Sequence, residues 1–379
     1  MRKALALLAK RSEIGVAAIS LLVVLIFTAT SGGIWLSRIN MVEVLRVTSV
    51  LGIMALGEAF VITSGEIDIS LGSVFGVAGM VFLALASQLP APLAALIALS
   101  AGALIGAVNG YVVAYLHIPS LVVTLGSSFM FRGLIYAVLE KTFAFSTTAA
   151  MRADPLYRLF GDGRVLGINN ALLWALGLLL VLSYVLYLSP FGNRLLAVGG
   201  DELSAHSRGV RTRKVKWTVF VIAGLLAGLA GILEASNLGF VDGSFGRQRE
   251  LQAIAAAVLG GCVLTGGRSS LIGTVLGAFI LSGIQSYLVI KAIQPQWFIL
   301  LMGLSARLQG LYAYNVASLF GLATVIMTYY GVNYYLSGLH SYAAGDPVPV
   351  PQWVYIGITV LVTISVLAFI RKRKYALFK

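Results

Sequence analysis

Apolar runs separated by short polar breaks fill most of the chain. The runs cover residues 14–30, 44–63, 71–86, 93–115, a stretch opening near 120, 171–188, 217–236, 251–263, 271–289, 316–330 and 353–370. About 20 apolar residues cross a bilayer as a helix. The pattern therefore predicts an all-α, polytopic transmembrane helical bundle of roughly ten spans. Two places do not fit straight helices. The stretch 250–279 carries too many glycines and predicts a helix, a turn at Gly266 and Gly267, and a second helix. Gly65, Gly72 and Gly76 interrupt the first half in a similar way. Broken helices at membrane depth are stable when they line a cavity or are buried in protein. Paired interruptions point to internal repeats around a central path.

Punctuation refines the spans. Residues 37–43 read as a polar break before the second span, and Pro90 and Pro92 as a turn. Gly102, Gly106 and Gly110 recur every four residues, a spacing that lets helices pack closely in lipid. Pro119 ends one helix, and Ser120 is the expected N-cap of the next. Arg132 lies in an apolar context, where a charge faces protein or water or snorkels to a span end. The long polar interval 141–170 belongs on the outer face, because the basic loop after the following span belongs inside.

Composition agrees with a membrane protein. The chain is 59% hydrophobic and 11% charged, with mean hydropathy +0.94, against about 45–50% apolar and about 25% charged for soluble domains. The net charge of +13 sits at the N-terminus, in a central loop and at the C-terminus. It marks cytoplasmic faces and does not point to nucleic acid. The run 14–30 is long and lacks a small-residue cleavage pattern, so it reads as a first span rather than a cleaved signal. Cys262, alone in an apolar helix, excludes an intrachain disulfide and a multi-cysteine metal site. Three histidines are too few for a His-rich metal cluster.

Candidate chemistry falls in two places. The central loop carries Arg194, Arg208, Arg211, Arg213, Lys214 and Lys216 against only Asp201 and Glu202. Its first half, 201–209, predicts a short surface helix ending at Gly209. Such a helix between two spans is a handle for a partner protein. Glu66 and Asp68 lie between apolar runs. They either line an outer vestibule or cap the following helix, since acids suit helix N-termini. Ser70, Asn109, Thr124 and Ser127 are neutral groups suited to sugar hydroxyls or to bonds between helices. His117 reads as interfacial and His206 as a loop residue. Neither pattern points to catalysis. No pair of acids stands out within the apolar spans, which argues against an ion-driven secondary transporter.

Four segments carry a family resemblance: ALGEAFVITSGEIDISLGS (55–73), NGYVVAYLHIPSLVVTLGSSFMFRGL (109–134), FGNRLLAVGGDELSAHSRGV (191–210) and ELQAIAAAVLGGCVLTGGRSSLIGTVLGAF (250–279). In this order, over about 45–303, they resemble the permeases of bacterial sugar ABC importers, the ribose, xylose, arabinose, galactose and autoinducer-2 group. The resemblance implies a transmembrane domain over 1–303 in the bacterial inner membrane. It implies pairing with a second permease subunit, a periplasmic sugar-binding protein outside, and a cytoplasmic ABC ATPase that docks on Gly200, Asp201, Glu202, Ala205, His206, Gly209 and Val210. Glu66, Asp68, Ser70, Asn109, Thr124 and Ser127, read from their own chemistry, are the candidate substrate path of such a permease. The chain lacks a G-x-x-x-x-G-K-[ST] phosphate loop. ATP and Mg²⁺ are thus expected in the partner, with no cofactor on this chain.

Residues 304–379 extend beyond this pattern with two further spans. The segment GLATVIMTYYGVNYYLSGLHSYAAG resembles the C-terminal end of the cytochrome c synthase and haem-handling membrane family, with His340 in the place of a haem ligand. The tryptophan-rich segment of that family is absent. Haem handling, resting on the tail alone, and ion-coupled transport stand as the alternatives to ATP-driven import.

Overall fold

The structure is a computed structural model that describes residues 12–139, 145–161, 163–165 and 168–292. The tail from 304, including His340 and the last two expected spans, lies outside the described residues. The described part belongs to the compact unit Met1–Met302.

Seven described helices are long and apolar enough to cross a membrane. In chain order the helices begin with α1 (Ser12–Thr30), α2 (Arg38–Thr63), α3 (Leu71–Ala86), α4 (Ala91–Leu116) and α5 (Ser120–Val138). Two short helices follow, α6 (Ala149–Ala153) and α7 (Pro155–Phe160), and then α8 (Asn170–Leu188), α9 (Pro190–Gly200) and α10 (Glu202–Ser207). The last described helices are α11 (Thr212–Leu238), α12 (Arg249–Leu259) and α13 (Leu271–Ile290). A basic N-terminus inside and alternating spans put the start of α1 and the loop around α10 on the cytoplasmic face. Contacts between distant segments agree. Glu13 accepts from Ser270 at one end of the bundle, and Lys291 donates to the carbonyl of Thr30 at the other.

The core is built on α2 and α11. Their most apolar stretches are 83% and 78% buried, against 11% for α5 and 22% for α8, which present their leucines and valines outward as lipid-facing helices do. The glycine spacing of α4 has the packing role expected of it. A Cβ on Gly106 would stand 2.3 Å from the carbonyl oxygen of Phe220, and one on Gly224 2.4 Å from that of Gly102. The backbones of α4 and α11 touch, leaving no room for side chains.

Several boundaries differ from expectation. α2 starts at Arg38, not near 44. Ser37 caps it by accepting from the amide of Asn40, and the polar first turns are absorbed by a Glu43–Arg46 ion pair and by Asn40 Nδ2 donating to Trp35 O. Ser120 is not the N-cap of α5. Pro119, with no N–H to satisfy, takes that place, and the Ser120 hydroxyl instead accepts from the amide of Ile67 at 3.4 Å. The expected span 251–263 is an eleven-residue helix, α12, too short to cross alone. Cys262 lies in the turn after it, buried beside Ser269 and Thr274. The predicted turn at Gly266 and Gly267 is present, both with left-handed φ. The outer interval carries two small ribbons, Phe145–Ser146 paired with Phe240–Val241, and Arg164–Val165 with Ile168–Asn169.

Candidate functional site: a cytoplasmic helix wired to an interrupted turn

α10 is a complete, isolated turn of helix. Asp201 caps its start: Oδ1 accepts from the Ser204 amide at 3.0 Å and Oδ2 from the Ser204 hydroxyl at 2.7 Å. These bonds hold the Asp201 carboxyl below the usual aspartate range. At the other end Gly209 N–H donates to His206 O and Val210 N–H to Ala205 O, with Gly209 at φ +82°. This is a Schellman closure, and it bears out the helix end expected at Gly209. Asp201, Glu202, His206 and Gly209 are exposed. Ala205, expected on the docking face, is only 4% exposed and points into the protein. The apolar group that faces outward is Leu203, 81% exposed. Helical phase explains the swap, because positions two apart lie on different sides of a helix.

Gly200 and its neighbour join this helix to both interrupted segments. A Cβ on Gly199 would meet Thr63 O at 1.7 Å and Gly267 N at 2.5 Å, and one on Gly266 would meet Gly199 O at 2.6 Å and Gly65 at 2.9 Å. Three backbones from α2, α9 and the α12–α13 turn thus meet at one point on the cytoplasmic side.

Glu66 sits at the same end. Expected in an outer vestibule or as a helix cap, it is instead held by a lysine shared with α10. Lys216 Nζ, at the start of α11, donates to Glu66 Oε1 and to Glu202 Oε2, each at 2.7 Å. Because Glu202 belongs to α10, Glu66 is held on the cytoplasmic side.

Asp68 does not cap α3 itself, whose N-cap is Ser70 with no side-chain cap bond, but bonds that N-cap residue. Its Oδ1 accepts from the amide of Ser70 at 2.8 Å and from its hydroxyl at 2.6 Å, tightening the turn into α3. Asn109 Nδ2 donates to Ser70 Oγ at 2.9 Å, and Ser127 Oγ donates to Asn109 Oδ1 at 2.5 Å. The amide of Ile69 donates to Thr124 Oγ1 at 3.1 Å. Five of the six expected path residues therefore join one network linking α3, α4 and α5. Asp68, Ser70, Asn109 and Thr124 are buried within it; Ser127 at its edge is half-buried.

Some buried charged groups were not singled out from sequence. Glu58 is fully buried in α2, and its Oε1 accepts from the Asp68 amide at 3.3 Å. Glu58, inside α2, and Asp68, in the turn after it, are therefore neighbouring buried acids, a proximity not read from the sequence. A lone acid inside the run ALGEAFVIT was the signal available. Toward the outer side, Glu234 accepts from Arg46 at 2.5 Å and from Arg249 at 3.3 Å, and Arg249 also donates to Gln252 at 3.0 Å. Arg132 is anchored by donating to Phe245 O at 2.6 Å. His117 ends α4 in a left-handed conformation, exposed, with Nδ1 3.1 Å from Tyr115 O. No group of three or more His, Cys, Asp or Glu placed to hold a metal occurs among the described residues.

Comparison with known proteins decides the family. The model of the branched-chain amino acid transport system / permease component family matches residues 40–305. The chain belongs to this permease family. The permease is 32% identical to the xylose transport system permease protein of Escherichia coli, over 74% of this chain and 86% of that protein. It is 34% identical to the ribose import permease protein of the same species, over 73% and 89%. It is also 34% identical to the autoinducer 2 import system permease protein of Photorhabdus luminescens, over 65% and 73%. No solved structure matches it. With seven helices of spanning length among its described residues, the permease is a multi-pass membrane protein.

Proposed function

We propose that the permease is the membrane subunit of an ATP-driven importer in a bacterial inner membrane, moving a sugar or sugar-like solute inward by alternating access. Its relatives are named for xylose, ribose and autoinducer 2. The observation that carries the mechanism is α10. A short helix capped at both ends, exposed on the cytoplasmic side and tied to an interrupted transmembrane turn, is what a separate ATPase needs to grip. Differential contacts there would bias one permease conformation over another. A second permease subunit would complete the path, and a periplasmic binding protein would deliver the solute.

The family includes permeases named for different solutes, so the solute class is tested directly. Vesicles containing the permease, its ATPase and its binding protein should accumulate labelled D-xylose or D-ribose only with ATP inside the cytoplasmic compartment. Uptake that ignores the ATPase but collapses with the proton gradient would replace this reading with ion-coupled transport, for which Glu58 and Asp68 would be the first residues to examine.

A further inference from the structure

We propose that Lys216 is a positioning residue that relays movement of α10 to the interrupted turn before α3, as a shared ammonium between two carboxylates. The proposal rests on the importer reading and names a part of its machinery. Lys216 lies 14 positions from Glu202 and 150 from Glu66, yet its Nζ bonds both at 2.7 Å. An ammonium has three donors and a single charge. It can satisfy two acceptors while compensating one carboxylate fully.

The two acceptors differ in setting. The Glu202 side chain is 44% exposed on α10, whereas that of Glu66 is 16% exposed and that of Lys216 13%. A partner seated on α10 competes for Glu202, not for Glu66. When Glu202 is drawn away, the ammonium is left to Glu66 alone, and the ion pair with the turn tightens. When α10 returns, the charge is shared again. This supplies the element with two arrangements that physical coupling between sites requires.

From Glu66 the connection continues through bonds already described. Ile67 donates to Ser120, Ile69 to Thr124, and Asp68 holds Ser70, which accepts from Asn109, which accepts from Ser127. A shift of the turn therefore pulls on the first turns of α5 through the Ser120 and Thr124 hydroxyls. Ser127, half-buried on that helix, is where the chain of bonds reaches the edge of the protein.

The test uses the complete importer in vesicles, with D-xylose or D-ribose, whichever the wild type accumulates. Both sugar uptake and ATP hydrolysis are measured. Lys216→Met should lower sugar moved per ATP about tenfold, in line with ordinary coupling energies, while ATP hydrolysis stays within about twofold. Lys216→Arg should recover most of the ratio, because it keeps the charge. If Lys216→Met does not insert, Glu66→Gln decides, since it keeps the acceptor and removes only the charge; it should show the same loss. A ratio equal to wild type in Lys216→Met, or in Glu66→Gln where Lys216→Met fails to insert, overturns the relay alone. A wild-type importer whose hydrolysis is never coupled to either sugar overturns the importer reading, and the relay with it.

Discussion

The amide of Gly267 donates to the carbonyl of Thr63 at 3.0 Å. Thr63 ends the helix before the first interruption, and Gly267 is the centre of the second. The two breaks in the hydrophobic pattern, some two hundred residues apart in the chain, therefore share a hydrogen bond. Gly199, just before α10, completes the contact.

The tightness of this junction predicts a large effect from one methyl group. Gly199→Ala would place its Cβ 1.7 Å from a backbone oxygen that cannot swing aside. Overpacking of this kind costs about 1–3 kcal/mol. The variant should melt lower in detergent, and uptake should fall more than its folded amount does. Gly200→Ala is the control. Nothing lies within 4 Å of its added carbon, so it should melt like the wild type.

Leu203 and Ala205 should separate docking from folding. Leu203 is exposed on α10 and contributes little to the fold, so Leu203→Glu should leave the melting temperature unchanged. Loss of a central apolar anchor weakens a complex by roughly 2 kcal/mol or more. Co-purification of the ATPase should fall accordingly. Ala205→Trp should instead displace α10 from the bundle, because Ala205 faces inward. It should lower both ATPase binding and resistance to limited proteolysis of the 201–210 loop. Equal ATPase capture by wild type and Leu203→Glu would remove Leu203 from the docking face.

Asp201 makes the α10 cap sensitive to acid. Its carboxyl is held below the ordinary range by Ser204. A depressed folded-state value means the stabilisation is fully present above the unfolded value. It is lost as pH falls through the folded one. Amide exchange at Ser204 should therefore stay protected at neutral and mildly acidic pH, and lose protection only beneath the usual aspartate range. Asp201→Asn keeps a competent cap and should remove this pH dependence.

The outer ion network predicts an asymmetry. Arg46→Met leaves Glu234 buried with only the longer bond to Arg249. Breaking a buried pair from one side costs about 3–5 kcal/mol. The double variant Arg46→Met with Glu234→Gln should recover part of that loss, because the buried carboxylate is then gone and Glu43, the other partner of Arg46, is exposed to water. Thermal melts of the three proteins in one detergent would show the order; equal melts for the single and double variants would mean Glu234 is not compensated through Arg46.

Much of the molecule was legible from the order of its residues. Apolar runs of bilayer length, glycine interruptions and basic loops depend on local composition. They gave the seven described helices long enough to cross a membrane, the turn at Gly266 and Gly267, and the closure of α10 at Gly209, but misread 251–263 as a span. Chain order could also collect Asp68, Ser70, Asn109, Thr124 and Ser127 as polar residues in apolar surroundings. It could not say that they bond one another, nor that Glu66 turns to the cytoplasmic side to share Lys216 with Glu202. Those facts depend on which helix faces lie together. Helical phase at Ala205 and Leu203, and backbone approach at Gly199 and Gly106, are set when α4, α9 and α10 pack against their neighbours, because which face is covered and how close backbones come exist only once the helices meet.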